Sequence, residues 1–177
     1  KKVTVLVDEA YHYFYPKTFI NYALNKEHIF VTRTFSKLFS MAGCRLGYVV
    51  GWPEGIKMVQ KLCTPHNTNA FAMLFAEEII THPAILQSLI DKFNEGRSWL
   101  IETMDSNGYA HKGDAGNFIF IKTKTDAEKI VDRMKTEKKI LIKSYPNVGE
   151  FGTCLRVPIG EKKYMEVFWN ALVELDK

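Results

Sequence analysis

The sequence has few cysteines, no long apolar run and little net charge, and each shortage closes off a class of function. Cys44, Cys63 and Cys154 are odd in number, far apart and outside any C-x-x-C pair. That excludes a disulfide framework or a thiolate zinc site, and it fits a reducing cytoplasm. No segment approaches the ~20 apolar residues that a bilayer-spanning helix needs. No signal-peptide pattern stands at the N-terminus, so no membrane partner is expected. Lys and Arg total 24 against 20 Asp and Glu, a net charge of +4 scattered along 177 residues. Such a small excess reads as a solvated surface. Without aromatic–basic interleaving or a named motif, nucleic acid is not an expected partner either. His12, His28, His66, His82 and His111 lack metal-ligand spacing. Internal repeats and low-complexity stretches are absent.

What is present is a globular composition, 46% hydrophobic and 25% charged. The run Val3-Thr4-Val5-Leu6-Val7 has the pattern of a buried parallel strand. Residues 29 to 35 and 46 to 51 are further strand-like runs. About twenty residues separate the first two, enough for a parallel crossover. The link from Ser36 to Arg45 is shorter than the dozen or so residues such a crossover takes, so the third strand is predicted to run antiparallel. The end of the first strand, the end of the second and the start of the third then share one edge of a sheet. A buried parallel strand needs neighbours on both sides, and the chain offers few, so the sequence is expected to be a piece of something larger.

Helices are predicted over 54 to 62, over 70 to 81, and over roughly 84 to 104 after His82-Pro83, the last ended by Asn107-Gly108. From Gly116 an α+β pattern follows, with strands over 117 to 121, 140 to 144 and 154 to 158 and helices over 126 to 135 and 161 to 175. Thr125 with Glu128 three residues on forms a capping-box signal for the first of these helices.

Chemistry concentrates at the shared strand edge. Asp8 directly follows the first strand, where ligands of open α/β sheets bind; alone it reads equally well as a turn or cap residue. Lys37 follows the second strand, and a lone lysine there is most often solvated. Arg45 opens the third, and Thr34 and Ser36, two residues apart, face one side of an extended chain. Together they gather a carboxylate, an amine, a guanidinium and two hydroxyls, the set that a phosphorylated aldehyde cofactor calls for. A lysine amine can condense with an aldehyde to form a Schiff base. A carboxylate beside a pyridine nitrogen favours its protonated form. A guanidinium and hydroxyls suit a phosphate. Tyr11, three residues beyond Asp8, can donate to a ring hydroxyl. His12 lies beside it. Tyr13, Phe14 and Tyr15 read as an aromatic packing cluster.

Asp8-Glu9-Ala10-Tyr11, Thr34-Phe35-Ser36-Lys37 and Ala42-Gly43-Cys44-Arg45-Leu46-Gly47-Tyr48 together resemble the class I/II aminotransferases of pyridoxal-phosphate fold type I, and most of all their histidinol-phosphate aminotransferase branch. Order and interval agree: Lys37 is 29 residues beyond Asp8, and Arg45 eight beyond Lys37. The likeness continues through Asn117-Phe118 and Leu155-Arg156-Val157. The resemblance implies an α/β fold. Residues 1 to 81 would be the remainder of a large pyridoxal-phosphate-binding domain, 82 to 107 an interdomain helix, and 108 to 177 a small C-terminal α+β domain. It implies pyridoxal 5'-phosphate as cofactor, held by Lys37 as a Schiff base, with Asp8 at the ring nitrogen and Tyr11 at the ring oxygen. Thr34, Ser36 and Arg45 would bind the cofactor phosphate, and Arg156 the substrate α-carboxylate. Lys143, thirteen residues before Arg156, stands where the branch usually has a second arginine that contacts the substrate phosphate. After Arg156 the chain reads Val157-Pro158-Ile159-Gly160, where a Thr-Val-Gly type sequence is more usual.

By that resemblance the reaction is amino-group transfer between an amino acid or phosphorylated amine and a keto acid, in a cytoplasmic homodimer. The family's phosphate-cradling loop, its Asn-Pro-rich segment and its N-terminal arm do not occur here, so the piece is expected to be inactive alone. Decarboxylation of a phosphorylated amino acid is the alternative within the same chemistry. A non-catalytic dimerising module is the alternative outside it, and joint retention of Asp8, Lys37, Arg45 and Arg156 speaks against it.

Overall fold

The computed structural model describes residues 3–65, 67–113 and 115–177. It is a mixed α/β chain with two sheets, and it divides into two compact units, one ending at Leu89 and one beginning at Ile90. No helix among the described residues is long and apolar enough to cross a membrane.

The first unit contains β1 (Val5–Asp8), α1 (Ile20–Asn25), β2 (Ile29–Thr34), β3 (Gly47–Gly51), α2 (Pro53–Gln60) and α3 (Ala70–Thr81), and the start of α4 (Pro83–Ser106). The sheet order is β1-β2-β3. β1 and β2 are parallel, with Val5 opposite Ile29 and Asp8 opposite Thr32. β2 and β3 are antiparallel, with Thr34 opposite Gly47. The predicted directions are those observed, and the length of the 36–45 link is the physical reason. Gly47 is required by closeness, since a Cβ there would lie 2.8 Å from the Arg33 carbonyl oxygen.

Three expectations need correction in this unit. Residues 3 to 7 read as buried, yet Val3 is 71% and Leu6 65% exposed: the strand begins only at Val5, at the edge of the observed sheet, and no described element covers the face that carries Leu6. Arg45 was expected to open the third strand. It sits instead in a left-handed conformation (φ 52°) after a 3-10 turn over Ala42–Cys44, and the strand begins two residues later. The third is α1, which the twenty-residue crossover hid: it is only six residues long and has no side-chain cap. The core of the unit joins Phe35 and Leu46, which flank the 36–45 link, to Ala72 and Ala76 of α3, with Phe39, Met41 and Cys44 packed against them. Burying a side chain such as Phe35 or Leu46 contributes about 1.5–3 kcal/mol. These two anchors therefore fix the link that carries Lys37. Backbone bonds from Phe35 N–H to the Leu46 carbonyl (3.1 Å) and from Met41 N–H to the Phe35 carbonyl (3.2 Å) close it.

The second unit contains the rest of α4, β4 (His111–Lys112), β5 (Phe118–Ile121), α5 (Ala127–Glu137), β6 (Lys143–Tyr145), β7 (Cys154–Pro158) and α6 (Lys162–Leu175). Its sheet order is β4-β5-β7-β6, every pair antiparallel. Strand alternation sends Ile119, Ile121, Leu155 and Val157 to one face, where all are buried with Ile130 and Met134 of α5 and Phe168 and Leu172 of α6. The other face carries Phe118, Phe120 and Arg156.

Two local expectations fail here. The predicted strand over 140 to 144 pairs only from Lys143, because the Ile140 N–H is taken by the Met134 carbonyl at the end of α5 (3.0 Å). Thr125 is not the cap of α5. Asp126 is, accepting from the N–H groups of Glu128 and Lys129. Thr125 instead gives its N–H and its hydroxyl, each at 2.8 Å, to the buried carboxylate of Asp176. β4 was not foreseen, being two residues long.

Candidate active site

The rim formed by the ends of β1 and β2 and the approach to β3 belongs to the first unit. Asp8 is the last residue of β1 and is exposed there. Its Oδ1 accepts the Ala10 N–H at 3.0 Å, so the chain turns directly after the strand. The turn carries Tyr11 back towards the end of β2. Lys37, three residues beyond β2, has its Nζ 5.5 Å from the Tyr11 ring centroid. The amine and the phenol predicted to share a ligand are therefore adjacent, and Asp8 pairs with Thr32 on the strand that leads to Lys37.

A cavity of about 320 Å³ opens beside this rim, lined among others by Asp8, Tyr11, His12 and Tyr15. Lys37 does not line it and is exposed. His12 thus sits with the two ring-binding candidates. Its Nδ1 is buried without a hydrogen-bond partner and lies 3.8 Å from Glu9 Oε2. Burial and the nearby Arg33 charge push the imidazole below its ordinary 6.5, against the pull of the Lys17 backbone and the Glu9 charge. Tyr13 packs edge-on against Phe39 at 5.1 Å, which bears out the packing role for this member of the aromatic cluster.

The phosphate-binding candidates are ordered by the backbone. Thr34 Oγ1 accepts the Ser36 N–H at 3.0 Å and reaches the Leu46 carbonyl at 3.4 Å. Its hydroxyl therefore tightens the start of the 36–45 link. Ser36 follows it half-buried. Arg45 gives one guanidinium N–H to the Ala42 carbonyl at 3.3 Å and is otherwise exposed.

Sequence reasoning missed the polar centre beneath this rim. Glu9 is 8% exposed. Its Oε2 accepts Arg33 Nε at 3.0 Å, Arg33 NH2 at 2.9 Å and the Thr18 hydroxyl at 2.9 Å. Its Oε1 accepts the Phe19 N–H. Burial works to raise this carboxyl, but the Phe19 N–H, the Thr18 hydroxyl and the Arg33 guanidinium outweigh it and hold the group below its ordinary 4.5. The available signal was an acid beside the strand-ending Asp8 and an arginine inside an apolar strand.

In the second unit, Arg156 of β7 stands directly between Phe120 and Lys143 in register. Its guanidinium carbon lies 3.9 Å above the Phe118 ring centroid and 5.7 Å from that of Tyr145. The two predicted substrate cations are thus cross-strand neighbours on one face, backed by aromatic rings. Like charges placed opposite one another are unfavourable by roughly 0.2–1 kcal/mol, a cost that an anion bound between them would offset. The aromatic side of this arrangement is legible in the alternation of Phe118 and Phe120. Among the remaining histidines, His82 and His111 pair with Glu78 and Asp105, and His66 lies outside the described residues.

Comparison with known proteins adds the family. Residues 1–172 match the model of aminotransferase class I and II. The histidinol-phosphate aminotransferase of Citrifermentans bemidjiense is 31% identical over 172 residues, covering 97% of this chain and 49% of that protein. That of Moorella thermoacetica is 29% identical over 178 residues, covering 98% and 46%. The chain spans about half the length of the curated relatives it matches. Among solved structures, the histidinol-phosphate aminotransferase of Sinorhizobium meliloti in complex with pyridoxal-5'-phosphate aligns with TM-score 0.82 and 25% identity, covering 97% of this chain and 48% of that one. That of Clostridium acetobutylicum aligns with TM-score 0.83 at 23% identity, covering 98% and 54%. On the family match, which takes in nearly the whole sequence, this chain belongs to the class I and II aminotransferases.

Proposed function

We propose that this chain is the C-terminal half of a pyridoxal-phosphate aminotransferase of amino-acid biosynthesis, acting in the cytoplasm as a homodimer, and that Lys37 holds the cofactor. The observation that carries the reading is the rim itself: Lys37 Nζ beside the Tyr11 ring, with Asp8 one strand away. The donor set fits the cofactor. An amine suits an aldehyde, a carboxylate suits a protonated pyridine nitrogen, a phenol suits a ring oxygen, and a guanidinium with hydroxyls suits a phosphate.

When bound, pyridoxal phosphate supplies the electron sink that accepts the pair left as the substrate's α-proton departs. The chain's own residues do the rest. Asp8 would pair with the ring nitrogen and favour its protonated form. Tyr11 would donate its phenol hydrogen to the ring oxygen. Lys37 would hold the cofactor through its amine, and its Nζ would serve as the base for the substrate α-proton. Arg45 and Ser36 hold the phosphate, with Thr34 ordering the backbone that presents them. Arg156 binds the α-carboxylate of amino donor and keto-acid acceptor in turn, and Lys143 takes a second anionic group such as a phosphate.

The share of each relative that the chain covers supports its being one half of the enzyme, and the half described is expected to be inactive alone. The test is product analysis on the full-length protein supplied with histidinol phosphate and a keto acid, next to a panel of other amino acids. Amino transfer, lost in Lys37→Ala, supports the proposal. Carbon dioxide release without a keto product would replace it with the decarboxylase reading, a chemistry carried on the same fold by the threonine-phosphate decarboxylase of Porphyromonas gingivalis at TM-score 0.75.

A further inference from the structure

The Glu9–Arg33 pair lies where a positioning device for the rim would have to be. Asp8 and Glu9 are consecutive at the end of β1, so they point to opposite sides. Asp8 faces solvent at the rim while Glu9 is enclosed. The Arg33 side chain is 10% exposed and the Glu9 side chain 7%. The guanidinium grips one carboxylate oxygen through both Nε and NH2, and its NH2 also donates to the Thr18 hydroxyl at 2.9 Å. A single buried pair therefore binds three pieces of chain together: the end of β1, the segment at Thr18 and Phe19, and the end of β2, where Arg33 stands opposite Tyr48 of β3 in register.

Those pieces carry the groups assigned to the cofactor. Asp8 precedes Glu9 and Tyr11 follows it by two residues. Lys37 lies four residues beyond Arg33, and Arg45 three before Tyr48. Besides the Lys37 amine over the Tyr11 ring, this pair joins the Asp8–Tyr11 turn to the strand that leads to Lys37. The cross-strand link beyond it is a backbone bond, Glu9 N–H to the Thr32 carbonyl at 2.8 Å. Exposed ion pairs contribute little to stability. The desolvation cost of a buried pair offsets its attraction, so it is no evidence of a stability gain. Its hydrogen bonds here are directional and shared among the strands that present the rim, which is what holding reactive groups to within fractions of an ångström requires.

We propose that Glu9 and Arg33 are positioning residues: their buried pair sets the spacing between Asp8 and Lys37 and so aligns the ring nitrogen and the aldehyde of one bound cofactor. This rests on the assignment of Asp8 and Lys37 above. Both side chains are buried beneath the rim and bonded to each other.

The test uses the full-length protein, with Arg33→Lys and Arg33→Met. Lysine keeps a charge paired with Glu9 and so keeps the fold, but it lacks the fork that grips through two nitrogens. Each variant is titrated with pyridoxal phosphate, and the absorbance of the bound form is followed across pH. Melting of the cofactor-free protein reports folding separately. Displaced support around bound groups generally costs roughly 10–100-fold in affinity. The expected result is a tenfold or greater loss of cofactor affinity in Arg33→Met and a smaller loss in Arg33→Lys. Both should also show a displaced midpoint of the absorbance titration, because the Asp8 charge beside the ring sets it. Folded variants with unaltered affinity and midpoint would overturn the proposal. A purely structural pair would lower the melting temperature and move neither. If the unaltered protein shows no bound-cofactor absorbance, the assignment of Lys37 fails, and the positioning role falls with it.

Discussion

Replacing Phe118 with leucine tests how Arg156 is made ready for an anion. The guanidinium carbon lies 3.9 Å above the ring centroid, and Tyr145 stands at 5.7 Å on another side. Arg156 is half-buried. A cation over an aromatic face contributes about 0.5–1 kcal/mol when exposed and about 2 when desolvated, so the intermediate figure of about 1 kcal/mol applies. The contact is already made in the free protein, so its energy enters folding; what enters anion binding is the rotamer freedom that the ring has removed from the guanidinium, worth about 1 kcal/mol for a rotamer-rich side chain. Leucine fills most of the same volume on the sheet face but offers no π surface. At 1.4 kcal/mol per tenfold, the loss corresponds to a rise of roughly fivefold in KM for the amino donor. Interactions equal in ground and transition states change KM and leave kcat alone. Steady-state kinetics of the full-length Phe118→Leu enzyme should therefore show the KM increase with kcat within about twofold of the parent, and its melting temperature should fall by no more than a few degrees. An unchanged KM, or a fall in kcat at constant KM, would refute the idea that the ring presents the guanidinium.

Two further predictions concern the second unit. Tyr109 is buried, and burial followed by the charge and hydrogen bond of Asp176 pushes its phenol up to about 12. Because the folded value is raised above the ordinary 10.0, the stability it confers is complete below pH 10.0 and is lost as pH rises towards about 12. Burial also raises the Tyr13 phenol, so an ultraviolet titration should find more than one tyrosine ionising late, and Tyr109→Phe should remove one of them together with that part of the alkaline destabilisation. Gly96, within α4, faces the Gly160 carbonyl so closely that a Cβ would collide with it and come within 3.0 Å of the Lys162 N. Helix propensity alone would make Gly96→Ala stabilising by about 1 kcal/mol. The backbone collision reverses the sign, and urea denaturation should show a loss of roughly 1–3 kcal/mol.

What the sequence disclosed and what it hid follow from the range of the interactions. The antiparallel entry of β3 was legible because the Ser36–Arg45 link is too short for any crossover. The limits of α3 were legible because Asn69 precedes an uninterrupted run of helix formers and caps the N–H groups of Phe71 and Ala72. The rim residues were legible because three strand ends meet at one edge. The misassigned cap had a competitor next door: Thr125 and Asp126 are both good caps, and the choice was made by Asp176, about fifty residues away and silent in any local window. The Glu9–Arg33 pair joins residues 24 apart across a parallel strand pair, where periodicity carries no signal for polar partners. Arg45 was placed on the correct rim but in the wrong backbone state, since nothing in the sequence marks a non-glycine residue for positive φ. Exposure of the apolar β1 residues follows from strand order and from which faces the described elements cover, both supplied only by the fold.

The proposed chemistry depends first on Lys37. The decisive measurement is to reduce the full-length protein with borohydride in the presence of pyridoxal phosphate and to map the modified peptide by mass spectrometry. The expected result is one pyridoxyl-phosphate group per chain, on Lys37, with none on Lys17 or Lys143 and none at all in Lys37→Ala. A stoichiometric adduct on another lysine, or undiminished labelling after Lys37 is replaced, would contradict it.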